Sequence, residues 1–506
     1  MSYRNQTADD AIKALLDPAL VKRLDKLFFP KSIAVIGASD IPGKWGFLLI
    51  SNIIGGGFKG QLYPINPKKD SLMGIKSYKS LADIPGEVDM AVMTIPAKAV
   101  PDAMRECVAK RVEAVTVITS GFREVDEEGA ELEREITKIA NEGGISFIGP
   151  NTMGVGSMYN DMVAIGSPVF PDKGGVAIIS QSGNVGIQFM MWGAARNIGV
   201  SFFAGIGNEA QLKSSDFLAY FGMRDEVKSV AMYLEGINNG REFMDVARAV
   251  TAKKPVLAMK TGRSATGSAA AASHSGSMAG AYATYSAMFK QVGIMHATNP
   301  SEMISVAAAA ATVPIPKSNR TAIMTFGGGW GIIAADECDV AGLTMPKLPQ
   351  YLIDEIDKIL PPFWNRSNPV DLVAEGEPDK VLKIMQLLAD WEEVDSIIAL
   401  GVVGRLSFIE NFVECQRKVD NTPINVELKA ELMSDYVRRE NKILTEIAAI
   451  QNKTGKPIIN VTLGSGDNKS IFETANGNVM VAASPDDAAH IISQLAGYHK
   501  YLQSTK

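Results

Sequence analysis

Cysteine and histidine are scarce in this chain of 506 residues: three cysteines, Cys107, Cys338 and Cys415, and four histidines. The cysteines lie far apart with no C-x-x-C or metal-ligand spacing, which excludes a disulfide framework and a zinc ribbon and suits a reducing compartment. No apolar run approaches the roughly 20 residues that a membrane-spanning helix needs. No block of lysine and arginine appears and the net charge is −6, so nothing marks a nucleic-acid surface. The first ten residues are polar and acidic rather than basic and then apolar, so no secretory leader is read there and the expected setting is the cytoplasm. What remains, 46% hydrophobic and 21% charged residues, is the composition of a soluble globular enzyme of about three domains.

Residues 11–29 carry an amphipathic pattern (Ile12, Leu15, Leu16, Leu20, Leu24, Leu27), which predicts one helix in a 1–29 extension packed on the first domain. A buried strand, Ser32–Ile36, then runs into Gly37-Ala38-Ser39-Asp40-Ile41-Pro42-Gly43-Lys44 and a helix. Such a turn gathers free N–H groups and the positive end of a helix where a phosphate could sit. It is not G-x-G-x-x-G, because Ser39 stands at the second glycine, and not a Walker loop, because Pro42 and Trp45 break that pattern. The second strand ends in Asn66-Pro67-Lys68-Lys69. Basic residues there, where a binder of NAD offers an acid, favour a phosphorylated ribose as in NADP or the 3′-phosphate of coenzyme A. Further strands end in Ile95-Pro96-Ala97, in Ser120-Gly121-Phe122 and in Gly149-Pro150-Asn151-Thr152. Small and turn residues at every carboxyl end predict a parallel, Rossmann-like domain over residues 30–155.

A second α/β unit, residues 156–312, is built on the strand Val176–Ile179, the turn Ser180-Gln181-Ser182-Gly183 and a helix from Asn184. Another strand, Val230–Leu234, delivers Glu235-Gly236, and Pro255–Met259 leads into a run of Gly, Ala, Ser and Thr holding Ser273-His274-Ser275-Gly276. If the sheet is parallel, Glu235, His274 and the Ser180–Gly183 turn share one rim. Taken singly, Glu235 reads equally as a solvated strand-end carboxylate and His274 as a surface histidine. After the proline-containing linker 312–319, strand, turn and helix recur a third time with Thr321–Thr325 and Phe326-Gly327-Gly328-Gly329-Trp330, opening a domain over 319–506. Asn368-Pro369-Val370-Asp371 marks a fixed turn bearing an acid in that domain. The fold class is therefore α/β, with three Rossmann- or flavodoxin-like domains and mainly parallel sheets.

The order of these motifs resembles the α subunit of the NDP-forming acyl-CoA synthetases, relatives of succinyl-CoA synthetase. The matching pieces are Ala34–Ser39, Tyr63–Lys68, Gly149–Asn151, Ile179–Gly183, Glu235-Gly236, Ser273–Gly276 and Asn368–Asp371. The resemblance implies that a carboxylate, ATP and coenzyme A interconvert with acyl-CoA, ADP and phosphate through an acyl phosphate and a phosphohistidine. By position His274 would be that histidine and Glu235 the carboxylate on its other ring nitrogen. The helix starts at Gln181, Ser182 and Gly183 and at Gly327, Gly328 and Gly329 would hold the phosphate. Coenzyme A would lie on the first domain near Gly37, Ser39, Lys44, Asn66, Lys68, Pro96, Ala97, Ser120 and Asn151. The family's nucleotide half is an ATP-grasp domain that no stretch here matches, so the resemblance implies an ATP-grasp β subunit in an α2β2 assembly, with Mg2+ accompanying ATP and no metal ligands on this chain. Phe326 and Trp330 are bulkier than the family's turn at that point and would reshape the acyl pocket. Two alternatives stand beside this reading: an NADP-dependent oxidoreductase, and a non-catalytic regulatory protein that binds coenzyme A.

Overall fold

The computed structural model describes residues 2–267, 269, 282–404, 410–411, 414–415, 426–462 and 469–505, without the side chains of 2–7, 426–430 and 432. It divides into two compact units, one of residues 1–194 and 198–307, the other of residues 195–197 and 308–506. The first unit opens with two helices, α1 (Ser2–Leu15) and α2 (Pro18–Phe28), in place of the single helix expected over 11–29. The break has a local cause. Asp17 caps α2 by accepting a hydrogen bond from the Ala19 amide at 2.9 Å, and Pro18 takes the first helical position, where its missing N–H costs nothing.

The first sheet takes β1 (Ser32–Ile36), β2 (Gln61–Ile65), β5 (Met90–Met93), β6 (Ala114–Val117) and β7 (Ser146–Ile148), with a small hairpin of β3 (Ser71–Leu72) and β4 (Ile75–Lys76) between. The order is β2-β1-β5-β6-β7 and every pairing is parallel. Helices α3 (Trp45–Gly55), α4 (Val100–Lys110) and α5 (Glu127–Gly143) connect these strands. All five residues of β1 are buried, as its unbroken apolar run requires in a sheet covered on both faces.

The second sheet begins earlier than residue 156: β8 (Gly154–Ser157) and β9 (Met162–Ile165) form an antiparallel edge on it. It continues with β10 (Lys173–Ser180), β11 (Val200–Gly205), β12 (Ser229–Leu234), β13 (Val256–Lys260) and β14 (Met295–Ala297), in the order β14-β13-β12-β10-β11-β8-β9. Its helices include α6 (Gly183–Ala195), α7 (Ser214–Met223) and α8 (Gly240–Thr251). The terminal helices pack here, against α7 and α8, as well as against the first sheet. Phe28 is fully buried, stacked on Tyr220 at 5.5 Å and edge-on to Phe202, Phe217 and Phe221. Leu24, Leu27 and Phe28 therefore join one core that runs on into both sheets. The extension thus packs on the first sheet, as expected, and also on the aromatic face of α7.

In the second unit the sheet order is β16-β15-β17-β18-β20-β19, from β15 (Thr321–Thr325), β16 (Val370–Asp371), β17 (Ser396–Leu400), β18 (Ile458–Val461), β19 (Ile471–Thr474) and β20 (Gly477–Ala482). Only the β19–β20 pair is antiparallel among the described pairings of this sheet. Its core includes Trp364, Trp391, Ile397 and Ile447. None of the described helices is long and apolar enough to cross a membrane.

Replacing Phe28 by alanine removes a side chain locked among four other rings. The expected outcome is a loss of about 3–5 kcal/mol in the unfolding free energy of the first unit, read by urea titration of the near-ultraviolet circular dichroism.

Candidate functional site

In each of the three sheets the chain runs from its first central parallel strand to a neighbour on one side and then crosses to the other. The crevice at that reversal is where open parallel sheets take ligands. It falls between β1 and β5 in the first sheet, β10 and β12 in the second, and β15 and β17 in the third. The turns singled out above, after β1, β10 and β15, each lie at this point.

Each of these turns also opens a helix left bare. Helix α6 and the helix Gly328–Val340 have no acid in the first turn, and neither does α3, whose N-cap Lys44 makes no side-chain cap bond. Other helices carry acids in the first turn: Asp102 in α4, Glu127 and Glu128 in α5, Asp216 in α7 and Glu242 in α8. Free N–H groups at a helix start, with a macrodipole contribution of about 0.3–1 kcal/mol at a surface and up to about 2 when partly buried, suit an anion.

The turns after β10 and β15 share one construction. The last hydroxyl of the strand accepts the role of clamp: Ser180 Oγ donates to the Ser182 carbonyl at 2.6 Å, and Thr325 Oγ1 donates to the Gly327 carbonyl at 2.8 Å. Six residues on, Gly186 and Gly331 pack against Ser180 and Thr325 so closely that a methyl group would approach within 2.8 and 2.9 Å. At the third turn the Asp371 carboxylate lies beside Gly328, where an added methyl would meet Oδ2 at 2.8 Å. Asn368 ties this acid's loop to the sheet, accepting from the Ile323 amide at 2.9 Å and donating to the Thr321 carbonyl at 3.1 Å. Trp330 is exposed, and Phe326 packs on the core of its own unit.

Within the first unit, a cleft of about 690 Å³ joins the rims of both sheets. Pro96, Ala97, Ser120 and Asn151 line it from the first sheet, and Gln181, Ser182, Gly183 and Glu235 from the second. The two rims meet closely: a side chain at 183 would run into Met153, and one at 207 into the Pro150 carbonyl. Gly37, Ser39, Lys44, Asn66 and Lys68 form a neighbouring group outside that lining. Gly37 adopts φ +92, leaving Thr94 Oγ1 against it, and the Asn66 carboxamide donates to the Ala38 carbonyl at 2.8 Å. Lys68 and Lys44 are exposed, while Lys69 pairs with Asp40. Trp45, the residue after Lys44, reaches the cleft. Gly327, Gly328 and Gly329 belong to the second unit, and His274 lies outside the described residues. Its loop departs from Lys260, which pairs with Leu234, the residue before Glu235.

Residues that the sequence reading passed over supply much of the wall. Gly207-Asn208-Glu209 follows β11, a strand not recognised above; finding it would have put this tripeptide on the rim. Glu209 is buried, and burial raises its carboxyl above the ordinary range against the hydrogen bonds from Ser214 and Gln181. Asn208 Nδ2 donates to Glu124 Oε2 at 2.6 Å and to Glu133 Oε2 at 2.9 Å. Burial opposes the Glu124 anion, but Asn208 and the amides of Gly121 and Phe122 outweigh it and hold its carboxyl below the ordinary value. Burial dominates at Glu133 and raises it, despite Asn208 and the Arg123 guanidinium 3.3 Å away.

Comparison with known proteins gives these features a class. The CoA binding domain family matches residues 31–158, the succinyl-CoA ligase like flavodoxin domain 173–310 and the ligase-CoA domain 321–402. Three such domains in series define an acid–thiol ligase of the succinyl-CoA ligase type. The chain is 40% identical over 431 residues to the α subunit of acetate–CoA ligase [ADP-forming] II of Pyrococcus furiosus, covering 84% of this chain and 93% of that one. It is 38% identical to acetate–CoA ligase [ADP-forming] I of Archaeoglobus fulgidus, over 74% of this chain but 54% of that longer one. Acetyl-coenzyme A synthetase 1 of Candidatus Korarchaeum cryptofilum, solved with phosphate and ADP, superimposes with a TM-score of 0.81 at 32% identity, over 95% of this chain and 98% of that. The chain belongs to the family of ADP-forming acyl-CoA synthetase α subunits.

The wall network yields a pH-dependent prediction. Asn208→Asp replaces a double donor by a third carboxyl between Glu124 and Glu133. Its folded-state pKa is raised, so stability falls as pH rises through that value. The expected loss is about 2–4 kcal/mol at neutral pH and clearly less at mildly acidic pH, measured by denaturant titration at each.

Proposed function

We propose that this chain is the α subunit of an enzyme that converts a carboxylate, coenzyme A and ATP to acyl-CoA, ADP and phosphate, by way of an acyl phosphate and a phosphohistidine at His274. The observation that carries the proposal is the single cleft onto which Glu235, the bare start of α6 and the carboxyl ends of a CoA-binding sheet all open. In the direction of synthesis ATP phosphorylates the imidazole and ADP leaves; the carboxylate then takes the phosphoryl group, the nitrogen–phosphorus bond breaking as the phosphorus–oxygen bond of the acyl phosphate forms. The thiol of coenzyme A, losing its proton, attacks the acyl carbon and phosphate leaves, which gives acyl-CoA. Glu235 orients the ring through its other nitrogen and favours the charge the ring gains. Ser182 and Gly183 present backbone N–H groups to the phosphate, while the Gln181 amide donates to the Tyr233 carbonyl at 3.2 Å. Gly328 and Gly329 form a second bare helix start of the same construction in the third domain, where the Gly327 amide donates to Thr325 Oγ1 at 3.2 Å.

Coenzyme A takes its nucleotide end on the group of Gly37, Ser39, Lys44, Asn66 and Lys68, and extends past Trp45 so that its thiol lies near Pro96, Ala97, Ser120 and Asn151. The cleft of about 690 Å³ suits the thiol end of the molecule, while the exposed lysines suit phosphates. The domains are read as a helical extension over 1–29, a CoA-binding domain over 30–155 and two ligase domains over 156–312 and 319–506. ATP and its Mg2+ come with an ATP-grasp β subunit, two copies of each chain forming the assembly, in the cytoplasm. The α subunits named among the relatives support a partner, as does the 54% coverage of a longer relative.

The test is phosphate labelling. The chain with its partner and γ-labelled ATP takes up an acid-labile, base-stable label on this subunit. His274→Ala abolishes it, and Glu235→Ala shortens its lifetime. A label that survives His274→Ala refutes the phosphohistidine.

A further inference from the structure

The side chain of Gln181 faces away from the bare start of α6 and is fully engaged. Its Oε1 accepts hydrogen bonds from the backbone amides of Glu235 and of Gly236, the latter at 3.0 Å. Its Nε2 donates to the Gly236 carbonyl and to Glu209 Oε2, both at 2.7 Å. A carboxamide has two donors and two acceptor lone pairs, and all four are used. The amide can stand only one way round, because a flip would face its NH2 with two N–H groups and its oxygen with a carbonyl and a carboxylate. Glu209 in turn is held on its other oxygen by the Ser214 amide at 2.5 Å, at the start of α7. A rigid path thus runs from the start of α7 through Glu209 and Gln181 to the backbone that carries Glu235.

We infer that Glu209 and Gln181 act together as the positioning element of Glu235, fixing the backbone from which its carboxylate meets His274. The inference rests on the roles given above to Glu235 and His274. No atom of Glu209 or of the Gln181 side chain touches the transferred phosphate in this scheme; the pair acts through Glu235. The charged groups facing it are Arg123, whose positive charge favours the Glu209 anion, Glu124 and Glu133 through Asn208, Lys213 beside Ser214, and Glu235 itself.

The pair makes a polarity-specific prediction. Gln181→Glu keeps the shape but sets a second carboxyl oxygen against Glu209 Oε2. Two carboxyls at that distance share a proton and keep the contact only while the proton stays. Labelling of the Gln181→Glu variant with its partner and γ-labelled ATP, quenched into alkali and expressed per folded chain, approaches wild type at about pH 6 and falls about 10- to 100-fold by about pH 9. Wild type shows no such fall. The double variant Gln181→Glu with Glu209→Gln restores a donor facing an acceptor between 181 and 209, leaves only the Gly236 carbonyl without its donor, and regains part of the label at the higher pH. Equal labelling of Gln181→Glu and wild type at both pH values, or a double variant no better than the single one, overturns the inference. A label that persists in His274→Ala overturns instead the reading on which it rests, so the two failures are told apart.

Discussion

Everything at the site depends on backbone N–H groups that the fold refuses to satisfy. A helix start without a capping side chain leaves donors bare at the positive end of the macrodipole, and three of the helices that follow a sheet's first central strand are built so. Among the described helices α4, α5, α7 and α8 instead carry Asp or Glu in the first turn. The cost is local: glycines at 183, 186, 328 and 331 supply no side chain to pack, and the helix must instead be seated by a hydroxyl clamp and by close approach to its strand. Ser180 with Gly186, and Thr325 with Gly331, solve that problem in the same way in two sheets of different sequence. Repetition at this level of detail goes beyond what any two α/β units share by architecture.

Much of the architecture was legible because buried parallel strands leave long apolar runs. β1, β2, β5, β6, β7, β10, β12, β13 and β15 all stand within a few residues of the runs that announced them. Two strands that missed recognition lack that signal. β8 contains two glycines in four residues, and β16 is two residues long, so neither carries a period that sequence can show. β11 is apolar and follows the turn residues Asn197 and Gly199, so it was legible and was passed over, and its loss hid Gly207, Asn208 and Glu209. The break between α1 and α2 was legible in Asp17-Pro18 and was outweighed by the run of leucines on either side.

The site divides along the same line. Residues at strand ends, such as Pro96, Ser120, Asn151 and Glu235, could be placed on one rim from topology alone. What topology could not say is which of them a side chain would reach. The first-sheet turn at Gly37 and the basic residues at 66–68 stand beside the cleft rather than in its lining, because Gly46 brings α3 down onto Gly37 and aims Trp45, not Lys44, into the space. Gln181 looked like a phosphate ligand by its place at a helix start; its side chain is spent on Glu209 and on the backbone of residues 235 and 236. Distinguishing those roles needs the angle at which a side chain leaves its turn, and no spacing rule encodes that.

The burial of Phe28 sets an order on how the chain comes to be made. The helices up to residue 28 are synthesised well before α7 and α8, yet their apolar face closes on Phe217, Tyr220, Phe221 and α8, some two hundred residues later. Until then Leu24, Leu27 and Phe28 have only the first sheet for shelter. Contacts so distant in sequence form late and slowly. The nascent chain therefore carries these apolar side chains without their aromatic partners through most of the synthesis of its first unit.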